Sequence, residues 1–365
     1  MLHIVGIVGL PSRYGGFETL ADNLLDSRSI TNHGVYVYCE SGVAYAGGRK
    51  YKGAVLVPVA LKANGWQSLL YDAWSMIQGC SKGGTILILG TSGTFLLPVL
   101  RLCFPRVRFI LNMAGLEWSR AKWGVLARAV IKFNEWTGIK YCNEVIADNV
   151  GLVQYVEDTY QRKAVYIPYG GDQFLDIIAD TSVIRSLGLF DSTYDFAMAR
   201  AQEDNNLEMI LDAYAGREEN LVFVSNWDSS KYGKGIKLLY SKYPNLKLIG
   251  PIYDLAKVKG IQSRSRLYVH GHSAGGTNPV LVEAMWAKLP ILAYDVSFNR
   301  YTTGHHAEYF SSAQGLKDCL DNIEQGRLQS SSEKLEAYAK ENYTWRSVTE
   351  KYEDVLMPAD KFKGS

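Results

Sequence analysis

Short apolar runs alternate along the chain with segments in which apolar residues recur at helical spacing. In the first half, runs at 2–8, 35–39, 54–59, 85–89, 108–112, 144–147 and 165–167 predict strands, and 68–78 and 124–138 predict helices. Apolar residues at successive positions are typical of parallel strands that are covered on both faces. The alternation therefore predicts an α/β fold built on a doubly wound parallel sheet.

The same alternation starts again in the second half, with predicted strands at 194–199, 221–224, 246–249, 267–269 and 291–294. Between the halves, the pattern changes at 170–184, which we interpret as an interdomain linker. A chain of 365 residues is too long for one typical core and suits two domains. Small-molecule sites favour domain interfaces, so we predict two doubly wound Rossmann-like domains facing across a cleft.

Composition excludes several classes of protein. The hydrophobic content of 47%, the charged content of 21% and the net charge of +2 suit a globular protein and give no bulk positive charge for nucleic acid. The five cysteines are scattered without a CxxC pair, which predicts reduced thiols in a cytosolic protein. No apolar run reaches the roughly 18 residues that span a bilayer, and the N-terminal pattern does not predict a signal peptide.

The richest stretch of candidate chemistry runs from His270 to Glu283, between a predicted strand and a predicted helix. Gly275 and Gly276 allow a ligand to approach the backbone closely. Thr277 or Asn278 can cap the helix, whose N-terminal amides form an anion site. Glu283 follows one turn later, so a phosphate on the amides and a sugar hydroxyl on the carboxylate would describe a nucleotide diphosphate. The alternative is an ordinary turn followed by a solvent-exposed glutamate.

Arg200 follows the first strand of the second half, and its planar guanidinium suits phosphate oxygens. A departing pyrophosphate needs fixed donors of this kind, because its charge grows in the transition state. No Asp-x-Asp pair follows a strand, so we expect the helix terminus and Arg200 to replace a metal ion. His270 and His272 are either ligand contacts or satisfied loop histidines, and they are no metal site without a third ligand.

The N-terminal half contributes two further loops. The first has Arg13, Gly15, Gly16 and Glu18, and it matches neither the dinucleotide pattern GxGxxG nor a Walker A loop. Its glycines could hold a phosphate or a sugar, and Arg13 and Glu18 are candidate ligand contacts or solvated side chains. The second loop, 115–123, lies at the carboxyl end of a predicted strand, where open α/β sheets bind ligands.

From Arg101 to Lys132, basic and aromatic residues interleave. Such a face can rest on anionic lipid. The alternative, which the sequence favours slightly, is a solvated helix with its apolar side in the core.

Several motifs resemble one bacterial group of enzymes. In the second half they are Asn-Asn-Leu-Glu-Met-Ile-Leu at 205–211, Val-Ser-Asn-Trp at 224–227, Leu-Ile-Gly-Pro-Ile-Tyr-Asp at 248–254 and His-Gly-His-x-x-Gly-Gly-Thr-Asn-Pro-x-Leu-x-Glu-Ala at 270–284. In the first half they are Pro-x-Arg-Tyr-Gly-Gly-Phe-Glu-Thr at 11–19 and Gly-Leu-Glu-Trp-x-Arg-x-Lys-Trp at 115–123. These motifs are similar to the β-1,4-rhamnosyltransferase-like branch of glycosyltransferase family 4.

The resemblance implies a GT-B architecture and a retaining, metal-independent transfer from a nucleotide sugar. It implies an acceptor domain at 1–172, completed by a C-terminal helix at about 345–360, and a donor domain at 173–344. The implied acceptor is a saccharide on a polyprenyl diphosphate. The protein would then lie peripherally on the anionic inner face of the cytoplasmic membrane, in surface polysaccharide synthesis such as that of capsule or O-antigen.

Site residues follow from the same resemblance. Glu283 matches the second glutamate of the Glu-x7-Glu signature and should hold the ribose, whereas Gly275 occupies the position of the first. Arg200 matches the diphosphate-binding arginine, and Asn205 stands where many relatives have lysine. Glu117 is the carboxylate that could orient the acceptor hydroxyl; Ala114 stands where the branch often has aspartate.

The predicted site therefore has three parts. We assign catalysis to Arg200, Asn205 and Glu117. Donor binding is assigned to Arg200 and to Gly15, Gly16, His272, Gly275, Gly276, Thr277, Asn278 and Glu283. Acceptor contacts are assigned to Arg13, Glu18 and Trp118.

Three functional hypotheses remain from the sequence. The first is a retaining glycosyltransferase, with dTDP-L-rhamnose as the best single donor and no cofactor or metal. The second is a catalytically silent nucleotide-sugar-binding scaffold subunit, which Gly275 and Asn205 motivate. The third is a nucleotide-sugar epimerase on the same fold, which would convert donor without an acceptor.

Overall fold

The predicted apolar runs form strands in a computed structural model, which describes residues 1–11, 15–42, 48–113, 115–120, 123–325 and 331–357. The strands and helices separate into two units. The first comprises residues 1–119, 123–169 and 345–365, and the second comprises residues 120–122 and 170–344. Arg13, Ala114 and Lys122 lie outside the described residues.

Within the described residues, the first unit has an eight-stranded sheet in the order β3-β4-β2-β1-β5-β6-β7-β8. The pairs are parallel except for the antiparallel edge pair of β3 and β4. Its strands are β1 (Leu2–Val5), β2 (Val35–Glu40), β3 (Lys50–Tyr51), β4 (Ala54–Val59), β5 (Thr85–Leu89), β6 (Arg108–Met113), β7 (Glu144–Ala147) and β8 (Val165–Tyr166). All residues of β1 and all but the first of β5 and β6 are buried, because helices cover both faces.

The helices of the first unit contribute to two hydrophobic cores. They are α1 (Gly16–Leu24), α2 (Arg28–Thr31), α3 (Ser68–Lys82), α4 (Leu97–Cys103), α5 (Val125–Tyr141) and α6 (Val150–Tyr160). Leu20 and Leu24 of α1 belong to one core. Tyr71 of α3, Leu100 of α4 and Ile139 of α5 belong to the other, so these three helices share one face of the sheet.

The second unit has a six-stranded parallel sheet, described here in the order β11-β10-β9-β12-β13-β14. Its strands are β9 (Tyr194–Met198), β10 (Asn220–Val224), β11 (Leu246–Ile249), β12 (Tyr268–His270), β13 (Ile291–Tyr294) and β14 (Glu308–Phe310). Its helices are α7 (Gln173–Asp176), α8 (Ser182–Ser186), α9 (Leu207–Tyr214), α10 (Lys231–Tyr240), α11 (Leu255–Gln262), α12 (Pro279–Trp286), α13 (Ser297–Thr302), α14 (Ala313–Glu324) and α15 (Ser332–Asn342).

One segment differs from the sequence-based expectation. The segment at 170–184, which we interpreted as a linker, contains α7 and the start of α8 and packs within the second unit. The final helix, α16 (Trp345–Leu356), belongs to the first unit. Its buried residues Trp345, Val348 and Tyr352 recur at helical spacing and join the core that contains α1. In the part of the chain that the structure describes, no helix is both long enough and apolar enough to cross a bilayer.

A matched pair of glycines tests the packing of the second unit. In α11, a Cβ on Gly260 would lie 1.9 Å from the backbone oxygen of Asp180, whereas a Cβ on Gly235 of α10 would meet nothing within 4 Å. We expect Gly260→Ala to lower the free energy of unfolding by about 2 kcal/mol or more, because the backbone must shift. Gly235→Ala should raise it by about 0.5–1 kcal/mol through helix propensity. Urea unfolding of both variants measures the difference, and equal effects would contradict this packing.

Candidate functional site

The glycine-rich turn joins β12 to α12 at the carboxyl end of the second sheet. Asn278 caps α12, since its side-chain oxygen accepts a hydrogen bond from the amide of Val280 at 3.0 Å, and Pro279 occupies the first turn. Gly275 has a φ of 131°, a conformation that side chains other than glycine's rarely adopt. A carboxylate in place of Gly275 would therefore strain this turn. The amides of Val280, Leu281 and Val282 donate to Asn278, and the peptide dipoles of α12 create a positive potential at its N-terminus.

The turn is tied to the loop that follows β9, the strand next to β12. The side-chain amide of Asn206 donates to the carbonyl of Gly271 at 2.9 Å. The backbone amide and the hydroxyl of Ser273 both donate to the carbonyl of Asp204, at 2.9 and 2.8 Å. Gly271 must be small, because a Cβ there would lie 2.3 Å from the carbonyl oxygen of Asn205. We call this set of contacts the loop clasp.

The loop clasp places Arg200 on the same edge of the sheet as the N-terminus of α12. The Arg200 side chain is exposed, while its backbone is held on both sides. Its carbonyl accepts from the side-chain amide of Asn205 at 2.8 Å, and the next amide, of Ala201, donates to the Asn226 side chain at 2.7 Å. Asn205 is itself buried and directed at this backbone. It therefore positions the arginine loop and supplies no cation.

His270 and His272 stack on each other, with ring centroids 4.4 Å apart and planes at 16°. Burial first, and then His272, hold the pKa of His270 well below its usual range. Burial and the guanidinium groups of Arg120 and Arg200 lower the pKa of His272 to about 3. Both rings are therefore neutral at physiological pH and can serve only as hydrogen-bonding groups.

Three buried polar atoms near this edge have no hydrogen-bond partner among the described residues. They are Nε2 of His270, Nδ1 of His272 and Oδ1 of Asn205. His270 is fully buried, and its other nitrogen lies 3.1 Å from the Tyr268 hydroxyl. Buried polar groups are normally paired. The unpaired atoms indicate that polar groups of a ligand or of solvent complete this edge.

Glu283 lies in the second turn of α12 and is half-buried, which contradicts the alternative of a solvent-exposed glutamate. Its carboxylate accepts a hydrogen bond of 3.2 Å from the side-chain amide of Gln173 on α7. Burial raises the pKa of Glu283 to about 7, and the Gln173 bond opposes that shift. Sequence reasoning missed Gln173, because no local motif reports a partner that is 110 positions away.

The candidates in the first unit follow β1 and β6. Gly15 adopts a φ of 101°, and α1 begins at Gly16. Glu18 is buried and accepts a hydrogen bond of 2.9 Å from the amide of Val8, so its carboxylate braces its own loop. The predicted contact Arg13 lies outside the described residues.

The second loop of the first unit contains Glu117 and Trp118 in a single turn of 3₁₀ helix. Glu117 accepts from the indole of Trp123 at 3.1 Å. The ammonium of Lys132 lies 4.4 Å from the Trp118 ring centroid and 2.8 Å from a carboxylate oxygen of the buried Glu135. One face of Trp118 is thus covered by a cation, which leaves less of the ring for stacking on a sugar.

The structure therefore brings Arg200, Asn205, His272 and the 275–278 turn together on the second unit, with Glu283 one turn along α12. Gly15, Gly16, Glu18, Glu117 and Trp118 belong to the first unit. No group of three or more His, Cys, Asp or Glu side chains that could hold a metal ion occurs among the residues described.

Comparisons with known proteins agree with this architecture. Residues 1–172 match the family model of a domain of unknown function, DUF1972. No curated protein matches the chain. A sucrose-phosphate synthase from Thermosynechococcus elongatus is similar in structure, with a TM-score of 0.80 and 13% identity over 97% of each chain.

Two further solved structures align along nearly the whole chain. Anabaena HepE in complex with UDP and glucose has a TM-score of 0.74 and 13% identity, over 97% of this chain and 98% of that one. A glycosyltransferase from Rickettsia africae has a TM-score of 0.70 and 12% identity over 98% of each chain. These likenesses confirm the predicted fold class: the chain has the GT-B fold, with two Rossmann-like units.

The half-buried carboxyl of Glu283 predicts a specific dependence of stability on pH. The pKa of this carboxyl is about 7 in the folded chain and has its ordinary value of 4.5 in the unfolded chain. Between pH 4.5 and 7, the folded protein therefore retains a proton that the unfolded chain has lost. The free energy of unfolding should therefore fall by up to about 3 kcal/mol as the pH rises from about 4.5 to above 7. Glu283→Gln, which is neutral and similar in shape, should remove this component in urea unfolding at a series of pH values.

The exposed Glu208 of α9 provides a control, because Glu208→Gln should leave the pH dependence as it is in the wild type. Gln173→Ala should extend the fall to higher pH, because it removes a donor that favours the ionised carboxylate. Parallel pH profiles for the wild type and Glu283→Gln would contradict the assigned shift.

Proposed function

We propose that the protein is a glycosyltransferase that uses a nucleotide-sugar donor. The observation that carries this proposal is the arrangement on the second unit, where the loop clasp sets Arg200 beside the N-terminus of α12 and Glu283 lies one turn further on. The GT-B fold supports it, and HepE, one of the similar structures, was solved with UDP and glucose.

The chemistry of the proposed reaction matches the groups present. When the bond from the sugar to the diphosphate breaks, negative charge accumulates on the leaving phosphate oxygens. The guanidinium of Arg200, the backbone amides of the 276–278 turn and the positive end of the α12 dipole would stabilise this charge. Glu283 would accept hydrogen bonds from the ribose hydroxyls, and neutral His272 would complete the polar contacts with the donor.

We further propose that the enzyme is a retaining, metal-independent member of glycosyltransferase family 4, with dTDP-L-rhamnose as its donor. The acceptor would be a saccharide on polyprenyl diphosphate, contacted by Arg13, Glu18 and Trp118, with Glu117 orienting its hydroxyl. Such an acceptor requires the protein to lie peripherally on the inner face of the cytoplasmic membrane. The resemblance of the motifs at 11–19, 115–123 and 270–284 supports these assignments.

Two features favour a second candidate, a silent nucleotide-sugar-binding subunit that supports a partner transferase. Asn205 stands where many relatives have a lysine, and it is buried and hydrogen-bonded to the backbone. Gly275 stands where the family's Glu-x7-Glu signature has its first carboxylate, and its φ of 131° disfavours one. Such a subunit would bind donor through the same α12 terminus but would not transfer sugar.

Arg200→Ala tests the donor site. We expect it to weaken the binding of the preferred nucleotide sugar at least 10-fold, because a charged hydrogen bond contributes about 1.5–3 kcal/mol. Calorimetric titration with dTDP-, UDP- and GDP-sugars gives the affinities, and turnover with a polyprenyl-diphosphate-linked acceptor measures transfer.

Arg264→Ala is the matched control, because Arg264 is also an exposed arginine of the second unit but precedes β12 at the opposite end of the strand. It should bind donor as the wild type does. Unchanged donor affinity in Arg200→Ala would contradict the proposed site. Binding without transfer across the panel would favour the silent subunit.

A further inference from the structure

Three neighbouring helices of the first unit have apolar residues on their outer sides as well as on their buried sides. Along α3 and the turn before it, Trp66, Leu70, Trp74 and Ile77 are exposed, with Trp66 at 75%. Their spacing of four, four and three residues places them on one side of the helix. The opposite side of α3 contributes Tyr71, among others, to the core.

The same arrangement recurs on α4 and α5. Phe95, Val99 and Leu102 follow the outer side of α4 and the turn before it, with Leu102 at 83% exposed. Leu126 of α5 is 80% exposed. The further exposed apolar residues of α5 are Val125, Val130, Phe133 and Trp136. We call the outer side of α3, α4 and α5 the apolar face.

The exposed charged side chains of α3, α4 and α5 have one sign. In these three helices the only carboxylates are Asp72 and Glu135, and both are buried. Burial raises the pKa of Asp72 well above its usual range, and Glu135 accepts hydrogen bonds from Lys132 and two tyrosines. The exposed charged residues are basic: they are Lys82, Arg128 and Lys140, with Arg106 just beyond α4.

We propose that the apolar face docks on the surface of an anionic phospholipid bilayer. Its leucine, valine, phenylalanine and tryptophan side chains would enter the boundary between headgroups and acyl chains, and the surrounding basic side chains would contact lipid phosphates. The site deepens the proposed function, since a polyprenyl-linked acceptor lies in such a bilayer. The residues that support it lie outside the donor site, so the two proposals can be tested separately.

Charge complementarity selects lipid over a second copy of the chain. A two-fold symmetric dimer through this face would set the same patch against itself. Because the exposed charges are all basic, that contact would place like charges together in a desolvated interface. An anionic lipid surface offers the opposite charge and also an apolar layer.

The apolar face differs from the basic and aromatic run at 101–132 that the sequence indicates. At least four basic residues of that run bind other groups of the protein, and one of them, Arg120, pairs with Asp204 at 3.0 Å. Arg101 donates to the Asn143 side chain at 2.7 Å, Arg108 to the carbonyl of Val355 at 3.0 Å, and Lys132 to Glu135 at 2.8 Å. The structure adds instead the exposed apolar residues along α3, which lie outside that run in the sequence.

Vesicle flotation of the full chain tests the proposal. We expect the wild type to bind vesicles of phosphatidylcholine mixed with phosphatidylglycerol much more than vesicles of phosphatidylcholine alone. The triple variant Trp66→Ser, Leu102→Ser, Leu126→Ser should reduce partitioning onto the mixed vesicles at least 10-fold, because it removes apolar area that would be buried in lipid. Lys82→Ala, Arg106→Ala, Arg128→Ala should reduce it about 5-fold for each residue and weaken its dependence on salt.

Matched controls come from the second unit. Ile178→Ser, Leu238→Ser, Leu255→Ser removes exposed apolar residues there, and Lys231→Ala, Lys234→Ala, Lys242→Ala removes exposed charges. Both should bind vesicles as the wild type does. Donor affinity without vesicles should be unchanged in all four triple variants, which separates this test from that of the donor site.

Equal binding of the wild type to both vesicle types would overturn the proposal, and so would an equal loss of binding in the variant and control triples. A third contrary outcome is a triple variant of the apolar face that changes its oligomeric state in sedimentation velocity but binds vesicles as the wild type does. The last would assign the face to a second copy.

Discussion

The loop clasp is the constraint on which the candidate donor site depends. Because β9 and β12 are adjacent and parallel, the loops that follow them emerge side by side. Adjacent strands alone would leave the two loops independent of each other. The hydrogen bonds of Asn206 and Ser273 to the backbone of the opposite loop join them. All three acceptors are backbone carbonyl groups, but two of the three donors are the side chains of Asn206 and Ser273, so the loop clasp depends on these two residues and on a small residue at Gly271. The position of the Arg200 backbone relative to α12 is thereby fixed before any ligand binds, which favours electrostatic stabilisation of a developing charge.

The charges around the loop clasp also favour the binding of an anion at this edge of the sheet. Both histidines are neutral because of burial, and Asn205 adds no charge, so Arg200, Arg120 (paired with Asp204) and the dipole of α12 provide the positive potential. Glu283 is the nearby carboxyl on α12, and with a pKa of about 7 it is protonated for part of the time at neutral pH. A full negative charge there would oppose an anion at the helix terminus. Burial therefore reduces a repulsion that the sequence alone implies.

The strands were predictable because a parallel strand is apolar at nearly every position. Ala54–Val59, Thr85–Leu89, Glu144–Ala147 and Ile291–Tyr294 occur with the predicted bounds. Short elements with mixed patterns, such as α7, α13 and β14, were missed because tertiary packing rather than local periodicity sets them.

The residue types of the candidate site were visible in the sequence, but their contacts were not. Residue types suited to a diphosphate are visible in the sequence, and the structure collects Arg200, His272 and the 275–278 turn on one edge. The inward direction of Asn205, the bracing role of Glu18 and the contact of Gln173 with Glu283 depend on partners that are remote in sequence or on backbone geometry. No local pattern contains that information.

The outer side of α3 raises a question of stability as well as of function. A helix that is apolar on all sides is normally buried on all sides, because exposed apolar area forfeits the free energy of burial. In α3, Tyr71 and Met76 fill the core while Trp74 and Leu70 remain exposed, and α4 repeats the pattern with Leu100 inside and Leu102 outside. The fold of the first unit requires only the inner set. The outer set adds aggregation risk without adding to the core, so its presence on three adjacent helices is best explained by a second apolar environment that the chain meets after it has folded.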